Sequence, residues 1–360
     1  MKIRNAIGLQ LVNTVDGFGL HVPHTRELCD PELVKQPGFL ALVMDCQAWR
    51  DRASVEALLM REIGCADEAA IRAIDDLLAR GILIADSEDM QVDAVNSYDA
   101  WEAHNWGSAF VFQWHIDNLP RLDYTADGKA EDMAAMREFL RDDPVPSNYK
   151  HVPGALVFAL ERDVTIDHRS IWDILANDEE MLFPDRILTA RELSWMTKLA
   201  FGQTGVHSTY YGDRLAKTSP SGGARHPTEA YLLVLDVEGI EPGAYHYDVE
   251  NHALELIQAG DHGDVVRDAL LRQPNLALFK HRVAYITGTR FERTMWRYRE
   301  SFSYRSVNHD LGHHMESTRL VSRALQRNHF RGFAPRESLV EPLLGLDGIE
   351  EATMTFSIIG

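Results

Sequence analysis

Cysteine, long apolar runs and positive charge are what this 360-residue chain has little of. Its three cysteines, Cys29, Cys46 and Cys65, form no CxxC pair and no even set. Neither a disulfide framework nor a thiolate metal cage is therefore expected, and the thiols read as reduced. No apolar stretch approaches the ~18 residues a membrane-spanning helix needs, and MKIRNAIGLQLVNTVDG lacks the charged-then-apolar layout of a signal peptide. A cytoplasmic protein without a membrane partner is expected. Lys plus Arg number 36 against 55 Asp plus Glu, a formal net charge of −19. That balance opposes non-specific nucleic-acid binding, whose affinity comes from Lys and Arg neutralising phosphates. Neither GxxxxGK(S/T) nor GxGxxG occurs, which removes the usual phosphate and dinucleotide loops. What remains is globular: 45% hydrophobic and 25% charged residues, in a length that suits two domains.

Residues 1–97 read as a small helical module. Ser54 is placed to cap a helix with Val55, Leu58, Leu59 and Ile63 on one face, and Gly64 supplies a left-handed stop. Asp67 is placed to cap a second helix bearing Ile71, Ile74, Leu77 and Leu78, which Gly81 ends before a short strand at Ile82–Ile84. Helix, turn, helix and wing resemble a winged helix. Residues 41–95 hold five Arg and no Lys against twelve Asp or Glu, which disfavours DNA. The alternatives are a peptide laid along the wing strand, or a packing module with no ligand. Residues 98–150 read as an aromatic-rich bridge, in which Trp101, Trp106 and Trp114 either flank a ligand or form core.

The larger domain, 151–360, is expected to be α+β. Thr189 and Glu192 form a capping box ahead of Leu193, Met196 and Leu199, with the stop at Gly202. Ala230–Val237 and Val283–Thr287 have strand length, Tyr245–Tyr247 and Ala253–Ile257 form a hairpin, and Ala352–Ile359 alternates as a further strand. Helices interspersed with strands in no regular βαβα repeat give that class.

The segment Ser219-Pro220-Ser221-Gly222-Gly223-Ala224-Arg225-His226-Pro227-Thr228-Glu229 carries the chemistry. Two glycines without Cβ atoms let the backbone approach a planar ligand closely. A tight surface turn leading into a strand is the alternative. His309 and His313 stand one helical turn apart, as a metal pair or a substrate pocket would need, and ordinary solvated or core histidines are the alternative. Without a third ligand or an HExxH glutamate, no metal is expected.

The string SPSGGARHPTEAYLLVLDVEGIEPGAYHYDVENHALELI resembles the signature region of the SagB/ThcOx-type dehydrogenases, a branch of the flavin-dependent nitroreductase superfamily. Arg169-Ser170, Met295-Trp-Arg-Tyr-Arg299, Tyr304-Arg305, Asp310-Leu-Gly-His313 at the opening of a helix and the C-terminal LLGLDGIEEATMTFSIIG agree in order. The resemblance covers about 165–360. It implies a nitroreductase-like FMN domain, preceded by a winged-helix-like module that binds the leader of a ribosomally made precursor peptide. A homodimer is also implied, with Ala352–Ile359 as an arm pairing with the partner's sheet.

Of the cofactor contacts implied, Arg169 and Ser170 serve the phosphate or ring, as a guanidinium fork meets phosphate bidentately. Ser219, Pro220, Ser221, Gly222 and Gly223 lie against the isoalloxazine, and Arg305 joins them. Glu229 orients the loop, accepts from the ring edge, or pairs with Arg225. Tyr298 and Arg297 stand where azole-forming relatives carry a Lys-Tyr pair that moves the proton, and His309 and His313 face substrate. Arg stays protonated, so Arg297 stabilises an anion and Tyr298 is left to transfer the proton. A second departure is Met315-Glu316-Ser317 in place of Gly-Gln-Asn. The implied function is a flavin-dependent two-electron oxidation of a peptide, such as azoline to azole, beside a modifying partner enzyme. Two alternatives stand: a non-catalytic peptide scaffold, and an NAD(P)H-dependent small-molecule nitroreductase.

Overall fold

The computed structural model describes residues 1–360 except 15–16, 23–24, 26, 30, 88, 118–121, 164–169, 177–181 and 274–275. The chain divides into two units, Met1–Arg121 and Leu122–Gly360.

In the first unit the two predicted helices form, over Arg52–Ile63 and Asp67–Ala79. Gly64 ends the first in the left-handed conformation, with φ 64°. Their starts differ from the expectation. Arg50–Asp51 pairs with the strand Lys2–Asn5, so the chain enters the first helix from Asp51 and Ser54 lies within its first turn. Ala66 precedes the second helix, and Asp67 serves as a first-turn acid that complements the helix dipole. The predicted wing strand appears as Leu83–Ala85, buried and antiparallel to Lys2–Asn5. The sequence pattern marks no strand in the first thirty residues. In the structure they supply the central strand of this sheet and all of a second one, Gln10–Thr14, Gly17–Val22 and Glu27–Cys29. All three thiols are free, and burial pushes Cys46 up to about 11. The aromatic run falls on helices Asp89–Glu102 and Gly107–Asp117 of this unit. There Trp101 and Tyr98 meet buried Phe110 edge-on at 5.5 and 5.7 Å, Trp114 stacks on it, and Trp106 is exposed. The last helix of the region read as a bridge, Gly128–Asp142, belongs to the second unit.

The second unit is α+β, as expected. Its antiparallel sheet runs in the order His329–Gly332, Glu351–Ile359, Val283–Arg290, Thr228–Val234, Gly243–Asp248, Ala253–Ala259, Val157–Ala159. Alternation along Thr228–Val234 separates two cores. Ala230, Leu232 and Val234 pack with the helix Ala190–Phe201 on one face, whereas Tyr231 and Leu233 pack with Val266, Leu270 and Val340 on the other. Two expectations are corrected here. The strand predicted through Val237 stops at Val234, because the N–H groups of Leu235 and Asp236 both turn to the Arg282 carbonyl. The C-terminal strand is no free arm: Glu351–Ile359 pairs along its length with Val283–Arg290, and its last four residues, Phe356–Ile359, also pair with His329–Gly332 on the other side.

The capping box is realised. Thr189 Oγ1 accepts from the Glu192 N–H at 3.2 Å, and the Glu192 carboxylate accepts from the Thr189 N–H at 3.3 Å. Thr189→Ala is expected to lower stability by about 0.5–2 kcal/mol, the usual worth of such a cap, read from urea unfolding of the two proteins.

Candidate functional site

The glycine loop sits against the long helix Tyr304–Ala324, and one carboxylate clamps it there. Asp310 Oδ2 accepts from Ser221 Oγ at 2.6 Å and Asp310 Oδ1 from the Gly222 N–H at 2.9 Å. Asp310 lies two turns inside this helix rather than at its opening, on the stripe of Val307, Leu311, His314 and Thr318 that faces inward. Burial raises its pKa above the ordinary 3.8, against the hydrogen bonds from Ser221 and Gly222. Asp310 was quoted above only as part of a helix start. A carboxylate on an otherwise buried helical stripe was the available signal.

Backbone conformation in the loop is unusual. Gly223, Ala224 and His226 have φ of 60°, 50° and 48°. A Cβ on Gly223 would stand 2.0 Å from the Tyr298 hydroxyl oxygen, so only glycine admits the phenol at that point. The left-handed Ala224 and His226 cost roughly 1–3 kcal/mol each and persist because surrounding contacts fix them. His226 shows how: its N–H donates to Ser221 Oγ at 2.9 Å and its Nε2 to the Leu215 carbonyl at 2.9 Å. Burial pushes its imidazole down to about 3, leaving it neutral.

The other hydroxyl of the loop is committed. Ser219 Oγ donates to the Ala200 carbonyl at 2.8 Å and lies 2.7 Å from Ser317 Oγ, so the third residue of the changed triplet fastens the loop. Glu316, its second residue, pairs with Arg319 and Arg331 at 2.6 and 2.8 Å. His313, exposed, lies with Nδ1 3.1 Å from the Pro220 carbonyl. His309 is exposed on the same side of the helix, whereas the next residue after His313, His314, is buried, stacked on Phe201 at 4.9 Å. Ser170 is exposed at the start of Ile171–Ala176, with Oγ accepting from the Trp172 N–H at 3.2 Å. Arg169 lies outside the described residues. Arg305 is half-buried, over the Phe302 ring at 5.6 Å.

Tyr298 and Arg297 are joined: the guanidinium sits 4.9 Å from the Tyr298 ring centroid and donates to Asp132 at 2.7 Å. The Tyr298 phenol, half-buried over Gly223, makes no hydrogen bond to a described residue. Glu229 does not pair with Arg225. Its carboxylate meets the buried Arg293 guanidinium at 2.5 Å and His246 Nε2 at 3.2 Å, and His246 Nδ1 continues to Glu255 at 2.8 Å. These partners occupy both Glu229 oxygens, which favours the loop-orienting role. Arg225 instead donates to the Arg293 carbonyl at 2.7 Å and lies over Trp296 at 5.5 Å.

Arg225 keeps Nη1 unpartnered in the interior, and Arg214 keeps Nε and Nη2. Both side chains are buried, and neither is salt-bridged to a carboxylate among the described residues. Burial is the main cause holding Arg225 down at about 10, with the neighbouring Arg214 next. Two buried cations with spare N–H donors suit an anionic ligand.

No family model matches the chain. The chain is 30% identical over 279 residues to the trifolitoxin-processing protein TfxB of Rhizobium leguminosarum bv. trifolii, covering 76% of this chain and 73% of that protein. It is 31% identical over 163 residues to MJ1384 of Methanocaldococcus jannaschii, named a nitroreductase, covering 45% and 73% respectively. Among solved structures, a nitroreductase from Anabaena variabilis superposes with a TM-score of 0.48 at 20% identity, over 67% of this chain and 42% of that one.

Proposed function

This chain belongs to the SagB/ThcOx-type branch of the nitroreductase-like proteins, and from that membership we propose that it is an FMN-dependent oxidoreductase acting on a ribosomally made peptide. The observation that carries this reading is the glycine loop held by Asp310 beside Arg214 and Arg225, whose buried N–H donors lack partners. An anionic cofactor with a planar ring fits both features: bare glycine backbone for the ring, and guanidinium donors for its phosphate or its polar pyrimidine edge. FMN, when bound, supplies two-electron redox chemistry. Pro220, Gly222 and Gly223 would lie along it, with Ser219 and Ser221 holding the loop in place; Arg169, Ser170 and Arg305 complete the proposed set. Tyr298 is the proton-transfer group, its hydroxyl free to meet substrate. Arg297, fixed by Asp132, stabilises charge beside it and moves no proton itself. His309 and His313, exposed one turn apart, would face the peptide.

The first unit, with its two helices joined at Gly64 and the strand Leu83–Ala85 after them, is read as winged-helix-like and as the holder of the peptide's leader. A homodimer and a separate modifying enzyme complete the proposal.

A visible spectrum of the purified protein tests it. Flavin absorption is expected, with FMN released on denaturation, and a protein that stays colourless after incubation with FMN would sink the oxidoreductase reading. Tyr298→Phe is expected to keep the flavin and to slow turnover of the peptide by about 10²–10⁴-fold, the usual contribution of a positioned proton donor or acceptor. Full turnover in that variant would reassign the proton to His309 or His313.

A further inference from the structure

On the second unit, three side chains from separate segments converge, one of them joined through His246 to Glu229. His151 lies just beyond Lys150, Asp248 ends the strand Gly243–Asp248, and Glu255 stands on the strand Ala253–Ala259. One ligand atom from each lies within 4.8 Å of the others. His151 Nδ1 is 3.5 Å from Asp248 Oδ2 and 3.7 Å from Glu255 Oε1. Two ligands of a tetrahedral zinc, each about 2.1 Å from the ion, are themselves about 3.4 Å apart, so these separations fit.

Hydrogen bonding around the cluster orients its ligand atoms. His151 Nε2 lies 3.1 Å from Glu250 Oε2, to which it donates. With Nε2 donating there, Nδ1 is the nitrogen that faces the two carboxylates. Asp248 is oriented by Asn251, whose N–H and Nδ2 donate to its two oxygens at 3.1 and 2.7 Å. Glu255 is 5% exposed, and its Oε2 accepts from the Val152 N–H at 3.0 Å and from His246 Nδ1 at 2.8 Å. Its Oε1 makes no hydrogen bond to a described residue and lies 3.7 Å from His151 Nδ1. That second oxygen is the one Glu255 turns toward His151, where a cation could be shared.

We propose that His151, Asp248 and Glu255 form a site for a divalent transition-metal ion, with Glu250 as the outer carboxylate that fixes the imidazole. One imidazole nitrogen with two carboxylate oxygens suits zinc or manganese, and water completes the shell. The half-exposed His151 provides the way in. Bound metal fastens residue 151 to the hairpin Gly243–Ala259, so its effect is read in stability.

The test uses the full chain, stripped with EDTA and desalted, then titrated with Zn²⁺ by calorimetry with metal content measured after dialysis. Wild type is expected to hold one equivalent more than His151→Ala, and to show a rise in melting temperature on zinc addition that the variant lacks. Glu250→Gln is expected to weaken that equivalent by about 10–100-fold, as outer-shell partners of metal-bound histidines do. Equal stoichiometry and affinity in wild type and His151→Ala would overturn the site. Flavin content is not a readout, so the result stands apart from the function proposed above.

Discussion

Asp310→Ala is expected to weaken FMN binding by about 10–100-fold, equivalent to ~1.4–2.8 kcal/mol, while the helix that carries residue 310 stays folded. Two charge-assisted hydrogen bonds leave with the carboxylate, one from the Ser221 hydroxyl and one from the Gly222 N–H. The loop they hold includes Ala224 and His226 in the left-handed region, conformations that last only while neighbouring contacts enforce them. Released, the loop is expected to relax away from Tyr298, and Gly222 amide exchange should accelerate. Asp310→Asn retains an oxygen for the Gly222 N–H and is expected to lose less. Unchanged FMN affinity in Asp310→Ala would show that the loop shape owes nothing to this carboxylate, and the exchange measurement reads the clamp even without cofactor.

Asp310 also marks where the sequence stopped being informative. Local signals carried well: the Thr189 capping box, Gly64 as a helix stop and the Gly243–Ala259 hairpin all depend on residues close in the chain. Tertiary pairing did not. The alternating C-terminal segment looked like a free arm, because alternation reports two unlike faces and says nothing about which strands flank it. In the candidate site the glycine loop was legible from its composition. Its supports were not, since Asp310 clamps a loop 88 residues away and Arg293 reaches Glu229 from a different element. Arg225, adjacent in the motif, was the nearer candidate for Glu229. It faces Trp296 instead, and proximity in sequence proved a poor guide to pairing between long side chains.

Arg293→Met is expected to cost about 3–5 kcal/mol of folding stability, more than the Thr189→Ala cap loss. The side chain is 1% exposed and holds three groups: the Ser147 carbonyl at 2.9 Å, the His226 carbonyl at 3.0 Å and the Glu229 carboxylate at 2.5 Å. Methionine fills much of the volume but leaves those acceptors bare and Glu229 without its guanidinium partner. The pH dependence identifies the ion pair as the source. Burial by itself would push the Glu229 carboxyl up, yet Arg293, the His246 hydrogen bond and Lys217 together hold it well below its ordinary 4.5. Its contribution is therefore complete above pH 4.5 and is lost as pH falls toward its depressed value. His246 has the opposite sense. Burial opposes its charge, but hydrogen bonds to Glu229 and Glu255 outweigh that and raise it above 6.5, so its contribution is full below pH 6.5 and fades as pH rises through the raised value. Urea unfolding of wild type and Arg293→Met across pH 3 to 7 should then show a stability gap that is widest above about pH 4.5 and narrows toward pH 3. A gap constant over that range would assign the loss to the two carbonyl contacts. Glu229→Gln in the Arg293→Met background should recover part of the stability, because removing both charges leaves no uncompensated ion in the core.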